Sequence, residues 1–347
     1  MSLRRELRAA GGFAFGFLGL FLAFVHRGDL LVAPFAAIGA ALLLGAVLAI
    51  RERPRAGSRL RRWGRRAATL GVAVVLLLFV VAPIGAAVWV TQAPRRAVSS
   101  FSLPHEDVTL HTRDGLELAA WYIPSRNGAA VVVVHGGGGT RNGSERHARM
   151  LARAGHGVLL YDARGNGESE GRHDAMGWTW EPDVHAAVDY LSHRPDVSAG
   201  IGALGLSTGA ETVLQAAARS DRIDAVVADG AIPRNLSETR QLRGGAAAQG
   251  VPYYGLMIGT LRVLTGNPQP PPLQTLVPQI APRPALLIAT GEGAERTMNR
   301  AYHRAAPDTQ LWELPLTGHT LGLKQRPRAY EARVIRFFDR ALLHLGA

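Results

Sequence analysis

Six short, mostly apolar runs, each followed by a segment with helical spacing, constrain the fold of this 347-residue chain most strongly. The runs lack the strict apolar and polar alternation of a half-exposed strand, which is typical of parallel strands covered on both faces. Because strands and helices alternate along the chain, the sequence predicts an α/β domain with a mostly parallel sheet flanked by helices. The predicted strands lie at residues 129–134, 158–161, 201–206, 223–228, 285–289 and 310–314.

Two segments depart from this alternation. Residues 108–123 contain Asp-Gly between two strand-like runs, which predicts an antiparallel hairpin at the start of the domain. Residues 231–283 separate two strands by an interval that is too long for an ordinary connection. We expect this interval to form a short cap over the site, with Tyr253, Tyr254 and Met257 as substrate contacts, or to be a surface excursion.

The first hundred residues contain three long apolar stretches, at residues 9–25, 30–50 and 67–90. The second and third contain no charged residue, and about 20 apolar residues are enough for a helix to cross a bilayer. The first is shorter and rich in glycine, so it either spans the bilayer or lies in the interface. We expect residues 1–95 to form a transmembrane region of about three helices.

The charges predict the orientation of this region. Residues 51–66 hold eight arginines and one glutamate, and loops of this kind remain in the cytoplasm. The chain after residue 95 is therefore expected on the extracytoplasmic side of the cell membrane, as part of a multi-pass protein. Residues 1–100 hold 14 arginines and three acids, whereas the remainder holds 25 basic and 24 acidic residues. The basic charge thus indicates membrane lipid, and not nucleic acid, as a partner.

A serine between two glycines follows the third apolar run. Ser207 lies in the sequence Gly205-Leu-Ser-Thr-Gly209, between a predicted strand and a predicted helix. This is the context of a nucleophile elbow, in which the backbone approaches the serine so closely that the residues two before and two after must be very small. The pattern predicts that Ser207 is a nucleophile.

A second glycine-rich loop follows the first apolar run, where His135 precedes four consecutive glycines. The backbone N–H groups of Gly137 and Thr208 are predicted to hold a developing oxyanion, with Gly136 and Gly138 as neighbouring candidates. A phosphate-binding loop is the alternative, but the chain lacks the G-K-[ST] sequence of such a loop at this point. His135 is expected to be structural.

The residues after the second apolar run complete an ordered set of motifs. Residues 162–169 read D-x-R-G-x-G-x-S, and they lie between the H-G-G sequence and the serine elbow. This set resembles the α/β-hydrolase superfamily over residues 103–347, and the resemblance implies an α/β-hydrolase fold and a serine hydrolase activity. In this reading Asp162 and Arg164 hold a buried turn and do not take part in catalysis.

The resemblance also implies where the base and the acid lie, since the acid and then the histidine follow the serine in this superfamily. His319, on a glycine-containing loop after the last strand, is predicted to be the general base. The aspartate expected after the strand at 285–289 is missing, and glutamates stand there instead. Glu295 is the first candidate for the acid, with Glu292 and Asp229 as alternates.

These residues imply covalent catalysis through an acyl-enzyme, which needs no metal or organic cofactor. The absence of cysteine excludes a cysteine nucleophile and disulfides. We expect a membrane-anchored serine hydrolase that cleaves an ester, a thioester or an amide, with a small-molecule or acyl/lipid substrate. One alternative is a peptidase similar to prolyl-oligopeptidase catalytic domains. Another is a non-catalytic membrane scaffold or sensor that keeps the fold.

Overall fold

The computed structural model describes residues 11–13, 15–16, 59–174, 176–242, 253–291 and 293–343. The chain divides into two compact units. The first comprises Met1–Pro94 and Ala248–Gly266, and the second comprises Arg95–Ala247 and Asn267–Ala347.

An eight-stranded sheet forms the centre of the second unit. β1 and β2 form the predicted antiparallel hairpin, and β2 pairs antiparallel with β4. The other neighbouring strands pair in parallel, in the order β1-β2-β4-β3-β5-β6-β7-β8, so the predicted α/β architecture is confirmed. The strands are β1 (Glu106–His111), β2 (Glu117–Ile123), β3 (Ala130–Val134), β4 (Gly157–Tyr161), β5 (Ile201–Leu206), β6 (Ala225–Asp229), β7 (Ala285–Thr290) and β8 (Gln310–Leu314).

Helices cover both faces of this sheet, which explains why its central strands are apolar on both sides. Along β3, Val132 and Val134 pack into the core on one face, and Val131 and Val133 pack into the core on the other. The first face is covered by α4 (Glu181–Ser192), α5 (Thr208–Arg219) and α9 (Gly293–Ala305). The second is covered by α3 (Glu145–Arg153) and α11 (Pro327–Leu342), whereas the four-residue α10 (Gly322–Gln325) precedes α11.

The insertion between β6 and β7 is divided between the two units. Its ends carry the short helices α6 (Leu236–Thr239) and α8 (Leu273–Leu276) and belong to the second unit. Its middle forms α7 (Gly255–Thr265), which belongs to the first unit. The interval predicted as one cap therefore consists of two parts.

The buried Glu238 carboxylate holds the two ends of the insertion together. It accepts hydrogen bonds from the backbone N–H of Leu273 at 2.6 Å and of Arg234 at 3.3 Å. The Asn235 side chain adds a bond to the carbonyl of Pro270 at 3.2 Å. Because these partners come from opposite ends of the insertion, its first and last segments lie next to each other.

Besides α7, the described part of the first unit contains a helical stretch near residue 11 and a long helix. The long helix comprises α1 (Arg59–Leu76), a π-helical turn (Leu77–Val81) and α2 (Ala82–Gln92). Within the described residues, Leu70–Gln92 is the helix long and apolar enough to cross a membrane, and it corresponds to the third predicted stretch. The predicted span at 30–50, and most of that at 9–25, lie outside the described residues.

Candidate active site

Ser207 lies on a sharp turn between β5 and α5. Its backbone angles, φ 53° and ψ −120°, are ones that residues other than glycine rarely adopt. A Cβ atom on Gly205 would overlap the backbone of Gly209, and one on Gly209 would lie 2.6 Å from the carbonyl oxygen of His135. The two glycines are therefore required by the elbow, as the sequence predicts.

His319 lies within hydrogen-bond distance of this serine. Its Nε2 atom is 2.8 Å from Ser207 Oγ, although the two residues are 112 positions apart in the chain. The imidazole is 30% exposed and lies on the loop after β8, where Gly230 approaches it so closely that a Cβ there would be 3.0 Å from the ring. The ring is thus positioned to receive the hydroxyl proton of Ser207.

Glu295 completes a chain of hydrogen bonds. Its Oε2 atom is 2.7 Å from His319 Nδ1, and its side chain is fully buried. Thr290, the last residue of β7, donates its backbone N–H to Oε1 at 2.6 Å and its hydroxyl to Oε2 at 2.7 Å. Thr290 was not predicted from the sequence. A hydroxyl residue at the end of a strand, close to the predicted acid, could have indicated that it binds the acid.

The two alternate acids have other positions. Asp229 accepts a 2.7 Å hydrogen bond from the Tyr330 hydroxyl. Its Oδ1 atom has no hydrogen-bond partner within the described residues, and burial raises the pKa of this carboxyl to about 7. Its backbone carbonyl accepts the N–H of Ser207 at 2.8 Å. Glu292 lies outside the described residues.

The glycine loop after β3 lies beside the elbow. A Cβ on Gly136 would be 3.3 Å from the Cβ of Ser207, and Gly138 adopts a φ of 63°. His135 is buried, accepts the backbone N–H of Ala163 at Nε2 and donates from Nδ1 to the carbonyl of Gly136. Burial lowers the pKa of His135, which favours the neutral ring that these bonds require.

Two buried ion pairs hold the loop after β4. Asp162 is fully buried, accepts the backbone N–H of Arg141 at 2.6 Å and pairs with the guanidinium of the same arginine. Arg164 pairs with Asp183 at 2.6 Å and with Asp114 at 2.6 Å. The contacts of Asp162 and Arg164 are those of residues that fix a buried turn. Arg141 and Asp183, which sequence reasoning missed, come from distant parts of the chain.

The ion pairs shift the acidity of their carboxyl groups in opposite directions. The hydrogen bond from Arg164 lowers the pKa of Asp114, which lies near the surface, to about 2. Burial raises the pKa of Asp183 to about 6, although its bonds to the same arginine oppose that shift. Asp114 and Asp183 are therefore both charged beside Arg164 only above about pH 6.

The predicted substrate contacts belong to the insertion. The side chain of Met257 is buried in α7, and the rings of Tyr253 and Tyr254 meet edge to face at 5.6 Å. All three residues are in the first unit. In the part of the chain that the structure describes, no group of three or more His, Cys, Asp or Glu side chains could hold a metal ion.

Several proteins that are similar to this chain in sequence are uncharacterised. The protein YfhR of Salmonella typhimurium is 32% identical over 141 residues, which are 35% of this chain and 48% of that protein. An uncharacterised protein of Mycobacterium tuberculosis strain H37Rv is 37% identical over 121 residues, or 34% and 42% of the two chains. The chain thus spans about half the length of these relatives or less.

A solved esterase of Pyrococcus furiosus has a similar structure, with a TM-score of 0.59 and 23% identity over 72% of this chain and 97% of the esterase. A likeness at this level of identity shows the shared α/β-hydrolase fold. The model of the family described as X-Pro dipeptidyl-peptidase (S15 family) matches residues 95–320, which are more than half of the sequence. The chain therefore belongs to the X-Pro dipeptidyl-peptidase (S15) family.

Proposed function

We propose that the protein is a membrane-anchored hydrolase that cleaves an ester, a thioester or an amide through Ser207, His319 and Glu295. The observation that supports this proposal is the pair of hydrogen bonds, 2.8 Å and 2.7 Å long, that links the three side chains in that order. These residues follow β5, β8 and β7, and the carboxyl ends of parallel strands are where ligands bind in open α/β sheets.

In the proposed reaction, Ser207 Oγ attacks the carbonyl carbon of the substrate while His319 Nε2 takes the hydroxyl proton. The N–H groups of Gly137 and Thr208 bind the oxyanion of the tetrahedral intermediate. As this intermediate collapses, His319 gives the proton to the leaving alcohol, thiol or amine. Water then attacks the acyl-serine by the same route, which releases a carboxylic acid and restores the serine.

Glu295 acts on this reaction through His319. A carboxylate at Nδ1 keeps the proton on that nitrogen, so Nε2 is left with a lone pair that faces the serine. The same charge stabilises the imidazolium that forms during attack. The two bonds from Thr290 hold the carboxylate in place, which limits the reorganisation that the transition state requires.

The membrane anchor is supported by Leu70–Gln92, a helix of sufficient length and apolarity to span a bilayer. We propose that two further spans precede it and that the second unit lies on the extracytoplasmic side, because the arginine-rich residues 51–66 directly precede the spanning segment. An alkaline phosphatase reporter fused after residue 95 tests the orientation. Reporter activity is expected, and an inactive but stable fusion would contradict it.

The substrate class has two candidates. The apolar insertion and the anchor favour an acyl ester of lipid character, which fits the α/β-hydrolase esterase fold. The family description favours a peptide with proline in the second position. Rates measured on acyl esters of graded chain length and on X-Pro nitroanilides separate the two, and we expect the esters to be the better substrates.

Labelling with a fluorophosphonate probe tests the proposed nucleophile. The purified full-length protein should be labelled, and both Ser207→Ala and His319→Ala should lose the label. Ser192→Ala is the matched control, since that exposed hydroxyl bonds to a nearby carbonyl and should not affect labelling. A folded wild-type protein that takes up no label would instead favour the scaffold or sensor alternative.

A further inference from the structure

The middle of the insertion packs against the membrane-spanning helix. Helix α7 belongs to the same unit as α2, and the two helices are in contact. This is unexpected for a segment that lies between two strands of the hydrolase sheet in the sequence. Its significance rests on the proposed membrane anchor.

The buried residues of the two helices are suited to close packing in an apolar medium. Helix α2 buries small residues, including Gly85 and Ala87, whereas α7 buries the larger Met257, Ile258 and Leu261. Within a bilayer, helix association depends on van der Waals packing of this kind, and small residues let the backbones approach. Packing of this kind can hold the two helices together inside a bilayer, where the hydrophobic effect does not act between them.

The length of α7 limits how it can lie in a membrane. Its 11 residues extend about 16 Å at 1.5 Å per residue, roughly half of the 30 Å hydrocarbon core. Helix α2 is also 11 residues long and forms the second half of the 23-residue span Leu70–Gln92. A helix that packs along α2 thus occupies the depth of one leaflet, the one in which the span ends at Gln92.

The outward side of this pair is apolar. Val263 on α7 is 84% exposed and Trp89 on α2 is 46% exposed, which would be unfavourable in water. Tryptophan near the end of a span is typical of the membrane interface. Arg262 is the charged residue of α7, and a side chain of its length can extend to the headgroups while the helix stays in the apolar region.

We propose that α7 is a half-membrane helix, embedded beside α2 in the outer leaflet, and that its exposed side contacts lipid acyl chains. The insertion is then fixed to the bilayer and is not a lid that opens freely in water. In this proposal Tyr253, Tyr254 and Met257 contact the anchor and the outer leaflet, and not a substrate. This assigns a lipid contact to a segment that chain position alone would assign to a cap.

The absence of cysteine from the chain allows a direct test. Single-cysteine variants of the full-length protein are labelled with an environment-sensitive nitrobenzoxadiazole dye and reconstituted into phosphatidylcholine vesicles containing shallow or deep spin-labelled lipids. Val263→Cys reports on α7, and Leu78→Cys reports on the span, where that side chain is 50% exposed. Ser192→Cys reports on the second unit. None of these residues belongs to the proposed catalytic machinery.

We expect the dye at Val263 to emit at shorter wavelength and to be quenched most by the shallow spin label. The dye at Leu78 should be quenched most by the deep label, and the dye at Ser192 by neither. If Val263 behaves like Ser192 while Leu78 is quenched, α7 lies in water and the inference is overturned although the anchor stands. If Leu78 is also unquenched, the proposed anchor itself fails. Retained fluorophosphonate labelling shows that each variant is folded.

Discussion

Replacement of Glu295 by glutamine tests the proposed acid, because the hydrogen bonds around it fix the orientation of the new amide. The backbone N–H of Thr290 can only donate, so the amide oxygen must remain at the Oε1 position, 2.6 Å away. The amide NH₂ then faces His319 Nδ1. That nitrogen must accept a hydrogen bond, so the ring proton moves to Nε2, where it blocks proton transfer from Ser207.

The size of the effect follows from the two ways in which the variant can respond. Turning the amide over would leave buried donors facing each other at Thr290, at a cost of about 1–3 kcal/mol. Loss of the charge-assisted bond to the imidazolium adds about 1.5–3 kcal/mol. The sum, about 2.5–6 kcal/mol, corresponds to a fall in kcat of roughly 10²–10⁴-fold at 1.36 kcal/mol per factor of ten. The side chain keeps its volume, so the protein should remain folded.

The rate constant for fluorophosphonate labelling, together with kcat on a p-nitrophenyl ester, measures this fall. Asp229→Asn is the matched control, since it removes a buried carboxylate that bonds to Tyr330. It should lower the labelling rate less than tenfold. If Glu295→Gln stays within tenfold of the wild type while Asp229→Asn is inactive, the acid is Asp229 and not Glu295. A similar test of Glu292→Gln should have no effect.

Three further predictions concern stability. Gly209→Ala should lower the thermal midpoint and abolish labelling because its Cβ overlaps the end of β3, whereas Gly259→Ala, whose Cβ meets nothing within 4 Å, should do neither; equal midpoints would contradict the packing. Asp162→Ala should lower the free energy of unfolding by about 3–5 kcal/mol, measured in urea, because it leaves the buried Arg141 guanidinium without its main partner. The stability of Asp229→Asn relative to the wild type should rise from about pH 4 to about pH 7 and then level off. The pKa of Asp229 is higher in the folded than in the unfolded wild type, so the unfolded state loses this proton at lower pH. The free energy of unfolding of the wild type therefore falls as pH rises to about 7. A urea midpoint difference that does not change with pH would exclude this linkage.

The sheet and the elbow could be predicted because their causes are local in the sequence. Strands buried on both faces must be apolar throughout, and the β3 to β7 runs meet that condition. The elbow depends on backbone contacts between residues two positions from Ser207, so two glycines at fixed spacing identify it. In both cases the structural requirement, burial on two faces or close backbone contact, determines which residue types stand at which spacing along the chain.

The partners of buried charges could not be predicted in the same way. Asp162 and Arg164 were expected to hold a turn, but their partners Arg141 and Asp183 come from other segments. The pairing of each arginine with a carboxylate depends on how α4 and the loop after β3 pack. The spacing of residues along the chain does not indicate this packing. The division of the insertion between two units has the same origin, since an apolar helix such as α7 can cover a site or a neighbouring helix equally well.

The position of the proposed acid, Glu295, depends on both local sequence and tertiary packing. The sequence lacks the aspartate expected three residues after Gly291, and Glu295 stands one residue later. Because α9 already begins at Gly293, this residue lies in the first helical turn, where a negative charge is favoured by the helix dipole. From there the side chain must reach back to both Thr290 and His319. An aspartate would be shorter by one carbon–carbon bond, about 1.5 Å, and could not keep both sets of bonds near 2.7 Å. The longer side chain of glutamate therefore suits a proposed acid that lies in the first turn of α9, one residue after the expected position.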